Sequence, residues 1–219
     1  MSTELTDKQY GAPQPVLVRW FANIVSVVFH PLFIPLYVTY LLVFIHPLLF
    51  AGFTSVAKWR LVATIFVNLA LFPALTVFLC WRLKFVDSIK MNTTKERIIP
   101  LAATMIFYFW GWYVLRNLNE VPGLFKQFLL GCFITIIGGW IANIYYKVSL
   151  HALGMGGLVA FIAIMVFGFE GGSGLYLAAT LLVAGLVCSA RLALSSHKPF
   201  DVYSGFFIGF LAQAIAIFI

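Results

Sequence analysis

Ser189-Ala190-Arg191-Leu192-Ala193-Leu194-Ser195-Ser196-His197-Lys198-Pro199-Phe200-Asp201 is a polar island between two strongly apolar segments near the C-terminus. It gathers an arginine, a histidine and the only aspartate in the second half of the chain. A guanidinium, an imidazole and a carboxylate are each costly near lipid unless paired or facing water. The island therefore reads as the connection between two membrane spans and as half of an active site.

The segments around the island set the fold class. Of the 219 residues, 63% are hydrophobic and only 10% are charged, where a soluble domain carries about a quarter charged. Crossing the hydrocarbon core takes about 20 apolar residues. Seven segments are candidates: 20–45, 61–81, 98–115, 124–146, 150–169, 175–194 and 202–219. The expected fold is all-α, a multi-pass transmembrane helical bundle of about six or seven spans. A polar N-terminal tail over 1–19, with Pro13 and Pro15 and none of the features of a signal peptide, precedes a single transmembrane domain over 20–219. His30-Pro31 and Pro35 interrupt the first segment, and each proline removes a backbone donor, so a kinked or partly interfacial segment is expected there. The last segment is short. Gly131, Gly138 and Gly139, with Gly154, Gly156 and Gly157, suit close helix packing in lipid.

A net charge of +7 in a soluble protein would point to nucleic acid. Here the basic residues lie mostly in short connections, which suits headgroup contact, orientation signals and phosphate ligands instead. The expected partners are the bilayer and a membrane lipid, with no nucleic acid. Cys80, Cys132 and Cys188 lack metal-ligand spacing and read as free thiols. The turn Glu170-Gly171-Gly172-Ser173-Gly174 reads as flexible.

If every segment crosses, successive connections alternate sides. The tail, the loop over 81–97, the short turn over 147–151 and the island then share one face. This brings together Lys90, Arg97, Ser149, His151, Arg191, His197 and Asp201. The opposite face holds Lys58, Arg60, Arg116, Glu120, Lys126 and Glu170, which form no comparable set.

Two histidines, several cations and one carboxylate suit phosphoryl transfer. Preorganised Arg and Lys donors neutralise the oxygens of a phosphate in its transition state. One histidine serves as nucleophile and the other as general acid, splitting hydrolysis through a covalent intermediate. Two separated histidines and one carboxylate are few for a catalytic zinc or a magnesium, so no metal and no cofactor is expected. With Pro199 opening the last helix, Asp201 one turn in is placed to reach back to an imidazole nitrogen of His197 and fix its tautomer.

The spacing Arg191, five residues, His197, three residues, Asp201 resembles the third signature of the type 2 phosphatidic acid phosphatase superfamily, which includes vanadium haloperoxidases. Val148-Ser149-Leu150-His151 is similar to its second signature, Pro-Ser-Gly-His, with Val and Leu for the turn-shaping Pro and Gly. Lys90 and Arg97 are similar to its first, with the proline delayed to Pro100, and the serine next to Arg191 is displaced to Ser189. The resemblance covers about Lys90 to Asp201. It implies a metal-independent lipid phosphatase in which His197 is the nucleophile oriented by Asp201. His151 would protonate the leaving group and later activate water, and Lys90, Arg97, Ser149 and Arg191 would hold the phosphate.

Each residue also has a plainer reading. His197 and Asp201 satisfy a helix start, His151 sits at an interface, and the basic residues snorkel to headgroups. His30 and His46, each before a proline, read as interfacial or helix-breaking. The expected substrate is a lipid phosphate or diphosphate: an isoprenoid diphosphate, phosphatidic acid or similar. A phosphotransferase of the same kind and a non-catalytic transporter or lipid-binding protein are the alternatives. Analogy places the chain in a bacterial inner membrane. The excess of basic residues on the site-bearing face points to the cytoplasm, whereas most members of the resembled family face outward.

Overall fold

A computed structural model describes residues 14–46, 48–168 and 173–219. Most of the expected tail, over 1–13, and the Glu170-Gly171-Gly172 part of the expected flexible turn lie outside them. Among the described residues the structure is helical throughout, with no strand. The first apolar segment comprises α1 (Val16–Val28), a 3₁₀ turn (Pro31–Phe33), α2 (Ile34–Tyr40) and a π-helical turn (Leu41–Ile45). The second comprises α3 (Ser55–Ile65), a π-helical stretch (Phe66–Leu71) and α4 (Phe72–Arg82). Then follow α5 (Thr94–Arg116), α6 (Gly123–Tyr145), α7 (Leu150–Gly168), α8 (Gly174–Ala193) and α9 (Pro199–Ile215). Six segments, from Val16–Ile45 to Gly174–Ala193, are long and apolar enough to cross a bilayer. The chain is a multi-pass integral membrane protein, as its composition requires. α9 has 17 residues, about 25 Å of helix against a core of about 30 Å.

Local chemistry explains the irregular places. The first segment breaks at His30, whose backbone is extended (ψ 137°) because the residue before a proline is driven out of the helical region. The His30 Nδ1 then accepts from the backbone N–H of Leu32 at 3.4 Å, capping the 3₁₀ turn. His46 does the same for the next turn, accepting from Leu48 and Leu49. The π-helical stretch in the second segment ends just before Pro73, which has no N–H to continue the ladder. One boundary differs from expectation: α1 starts at Val16, inside the expected 1–19 tail. Pro15 supplies the helix entry there, and Val16-Leu17-Val18 is apolar enough to continue the span.

α7 is the central helix, and α9 lies against it in backbone contact. A Cβ on Gly156 would meet the backbone oxygen of Phe206, and one on Gly209 would meet that of Leu153. The close approach that small residues permit in lipid thus holds for these two helices. Gly131, Gly138, Gly139 and Gly154 abut the side chains of Gln213, Ile208, Leu153 and Ile34, the packing role expected of them. Both α7 and α9 begin at the same end of the bundle, where the N–H of Ser149 donates to the carbonyl of Asp201 at 3.0 Å. The other end is closed by buried Phe50 packed edge-on against buried Phe125, ring centres 5.6 Å apart. Trp20, Phe78, Ile106, Leu182 and Phe207 remain exposed on the outer surface, as lipid-facing side chains are.

Candidate functional site

The α5 start is locked by reciprocal caps. Glu96 accepts from the backbone of Thr93 at 2.9 Å, and the Thr93 hydroxyl accepts from the Glu96 N–H at 3.3 Å. The second Glu96 oxygen takes the Asp87 N–H at 3.0 Å, drawing the 83–93 loop over the helix end. Arg97 follows one residue later and is buried. Its Nε donates to the Met91 carbonyl at 3.0 Å and its Nη1 to the Val148 carbonyl at 2.9 Å. Arg97 thereby ties the loop carrying Lys90 to the turn carrying Ser149 and His151.

At the α7 start, the Ser149 hydroxyl accepts from the Ala152 N–H at 3.4 Å and the residue is fully buried. His151, in the first turn, places Nε2 at 2.9 Å from the carbonyl oxygen of Ser26 in α1. A carbonyl only accepts, so this contact assigns the proton to Nε2 and the lone pair of the neutral ring to Nδ1. Arg191, in the last turn of α8, donates from Nη1 to the Ser26 hydroxyl at 3.3 Å, while its buried Nε makes no hydrogen bond. The chain turns after α8 through Ser195 at φ 51° and presents His197, which is 3% exposed.

The His197 contacts differ from expectation in one respect. Nδ1 donates to the Lys147 carbonyl at 3.1 Å, whereas the Asp201 carboxylate is 3.8 Å away. Asp201 instead accepts the Lys198 N–H at 3.0 Å and caps α9. The carboxylate is committed to the helix start, and the Lys147 carbonyl of the α6–α7 turn takes its expected place beside the imidazole. This partner assigns the proton to Nδ1 and leaves Nε2 bare. Burial, reinforced by the charges of Arg97, Arg191 and Lys147, pushes the His197 pKa down to about 3 against the opposing pull of the Lys147 carbonyl.

Lys90, Arg97, His151, Arg191 and His197 line one cavity of about 800 Å³. The chain-crossing parity therefore delivers five of the seven expected residues to a common space. Ser149 and Asp201 lie behind its wall, where each serves a helix start. Three contributors escaped the sequence reading as site residues. Lys147 lines the cavity, and its carbonyl holds His197. Ser26 joins His151 to Arg191. His30 lines the cavity with its ring edge-to-face on His151, centres 5.2 Å apart. The only sequence signal for the first segment was the His30-Pro31 interruption; nothing in spacing pointed to Ser26. His46 keeps its plain capping role.

The arrangement offers two imidazoles, each held at one nitrogen by a backbone carbonyl, beside the buried guanidinium of Arg97 and the half-buried one of Arg191. Among the described residues, no three His, Cys, Asp or Glu side chains gather as a metal-ligand set. Comparisons with protein-family models, with curated proteins and with solved structures return no match for this chain.

Proposed function

We propose that this protein is a membrane lipid phosphatase that hydrolyses a lipid phosphate or diphosphate through a phosphohistidine intermediate. The observation that carries the reading is the pair of carbonyl-tethered histidines, His197 and His151, at one cavity with Arg97 and Arg191. The Nε2 lone pair of His197 forms the bond to phosphorus as the bond from phosphorus to the lipid oxygen breaks. His151, which takes up a proton at Nδ1 as the anionic phosphate binds beside it, gives that proton to the same oxygen. Water then attacks the phosphohistidine, its proton passes to His151, and the N–P bond breaks to restore His197. Arg97, Arg191 and Lys90 offset the charge that builds on the phosphoryl oxygens. A pKa near 3 keeps His197 unprotonated and nucleophilic throughout the ordinary pH range.

A lipid substrate is supported by the cavity's place inside a bundle that exposes large apolar side chains on its outer surface. The test is release of inorganic phosphate from a panel of lipid phosphates and diphosphates by purified protein between about pH 5 and pH 8. His197→Ala is expected to abolish release and the trapping of acid-labile radiolabel on the protein. No release by the wild type from any lipid in the panel would sink the reading and leave a binding or transport protein. Transfer of label to an acceptor alcohol without free phosphate would make it a phosphotransferase.

A further inference from the structure

Below its cationic mouth the cavity continues into the bundle. Ala74 and Val77 of α4, Leu101 of α5, Ile136 of α6 and Leu158 of α7 wall this inner chamber, and Gly157 adds width by lacking a side chain. Tyr108 lies about 16 Å along α5 from Arg97, and Gln213 about 18 Å along α9 from Asp201, at 1.5 Å per helical residue; both line the cavity. The chamber is apolar along its walls and polar at its inner part. There Thr135 is 7% exposed and its Oγ1 has no hydrogen-bond partner, and Gln213 is 1% exposed.

A space roofed by guanidiniums and walled by hydrocarbon matches an amphiphile with one anionic end. Its volume, about 800 Å³ with the mouth included, falls within the roughly 300–1,000 Å³ of single-ligand sites. That is room for a phosphate and one chain. A chain that stops short of Thr135 meets a wall that is apolar apart from Thr104, whose hydroxyl already donates to the Pro100 carbonyl at 2.7 Å. A longer one presses hydrocarbon against a hydroxyl and a carboxamide whose hydrogen bonds it cannot make.

We infer that the inner chamber takes a single hydrocarbon chain of the lipid phosphate, and that Thr135 and Gln213 limit its length. The inference rests on the mouth being a phosphate site, but it does not require turnover.

The test is equilibrium binding of butyl, dodecyl and icosyl phosphate to the non-hydrolysing His197→Ala protein in nanodiscs, alone and with a second substitution. Ala74→Phe fills the chamber and is expected to weaken dodecyl phosphate at least about tenfold more than butyl phosphate. Thr135→Val removes the hydroxyl at nearly constant volume and is expected to improve icosyl relative to dodecyl phosphate by about fivefold. Equal weakening of the short and the long ligand by Ala74→Phe, or an icosyl-to-dodecyl ratio that Thr135→Val leaves unchanged, overturns the inference. The two readings fail separately: the expected binding pattern without phosphate release from wild type sinks catalysis and keeps the chamber. Phosphate release without these chain-length effects does the reverse.

Discussion

The Nδ1 of His197 donates to the backbone carbonyl of Lys147 at 3.1 Å, so the proposed nucleophile is held by the α6–α7 turn. The Asp201 carboxylate, at 3.8 Å, caps α9 instead. The two roles separate by substitution. Asp201→Asn keeps an acceptor for the Lys198 N–H, and its kcat is expected to stay within about tenfold of wild type. A carboxylate that fixed the tautomer would cost about 10⁴-fold. Asp201→Ala removes the cap and is expected to lose about 1 kcal/mol of stability. Steady-state phosphate release and thermal melting of the two variants decide between them.

The depressed pKa of His197 makes stability depend on pH. Free histidine titrates near 6.5, while His197 in the fold titrates at about 3. Between these values the unfolded chain binds a proton that the folded chain does not. Stability therefore falls as pH drops through this window and levels off below it. His197→Ala lacks this linkage. Its melting temperature is expected to drop less between about pH 7 and pH 4.5 than that of wild type, as differential scanning fluorimetry in detergent will show. Equal drops in the two proteins would place the titration elsewhere.

Much of this was legible in the sequence because the bilayer restricts the alternatives. Long apolar segments have to be helices, and their parity assigned Lys90, Arg97, His151, Arg191 and His197 to one face, where all five line the cavity. Short-range rules also held at His30-Pro31, where the helix breaks. What stayed hidden was carried by backbone atoms and by tertiary packing. The carbonyls of Lys147 and Ser26 leave no trace in residue type, yet they hold the two histidines. Ser149 and Asp201 had two plausible partners each, a substrate or ring and a helix N-terminus. The orphan N–H groups of the helix starts won because they are adjacent in sequence and fixed in position.

Arg97 acts as a clasp as well as a charge. Its Nε and Nη1 reach two carbonyls in different segments, Met91 and Val148, a fork that an ammonium cannot reproduce. Arg97→Lys is therefore expected to lower kcat/KM at least about 100-fold, with a rise in KM as the Lys90 loop loosens. Proteolytic nicking in the 83–93 loop should increase in parallel. Unchanged kinetics in the lysine variant would reduce Arg97 to a simple cation.

The α7–α9 contact has no spare volume. Gly156→Ala drives a methyl group into the Phe206 backbone and Gly209→Ala into that of Leu153, neither of which can move as a side chain tip does. Each is expected to cost about 3 kcal/mol or more, seen as lost monodispersity or a lowered melting temperature. Gly185→Ala in α8 meets nothing within 4 Å and is expected to be neutral or stabilising by about 0.5–1 kcal/mol. A Gly185→Ala protein as damaged as the other two would mean that the site-bearing helices are not held by this contact.

The first segment precedes every site residue expected from the sequence, yet α1 supplies the acceptor for His151 and the hydroxyl for Arg191. Ser26→Ala keeps the carbonyl and removes only the hydroxyl. Arg191, whose Nε is already without a partner, then loses a bond of the charged class worth about 1.5–3 kcal/mol. The expected result is a fall of about tenfold in kcat/KM with the fold intact. His30→Ala removes the ring packed on His151, and its effect should fall on kcat more than on KM. If both substitutions leave phosphate release untouched, α1 is packing alone, and the catalytic unit is confined to the helices from α5 onward.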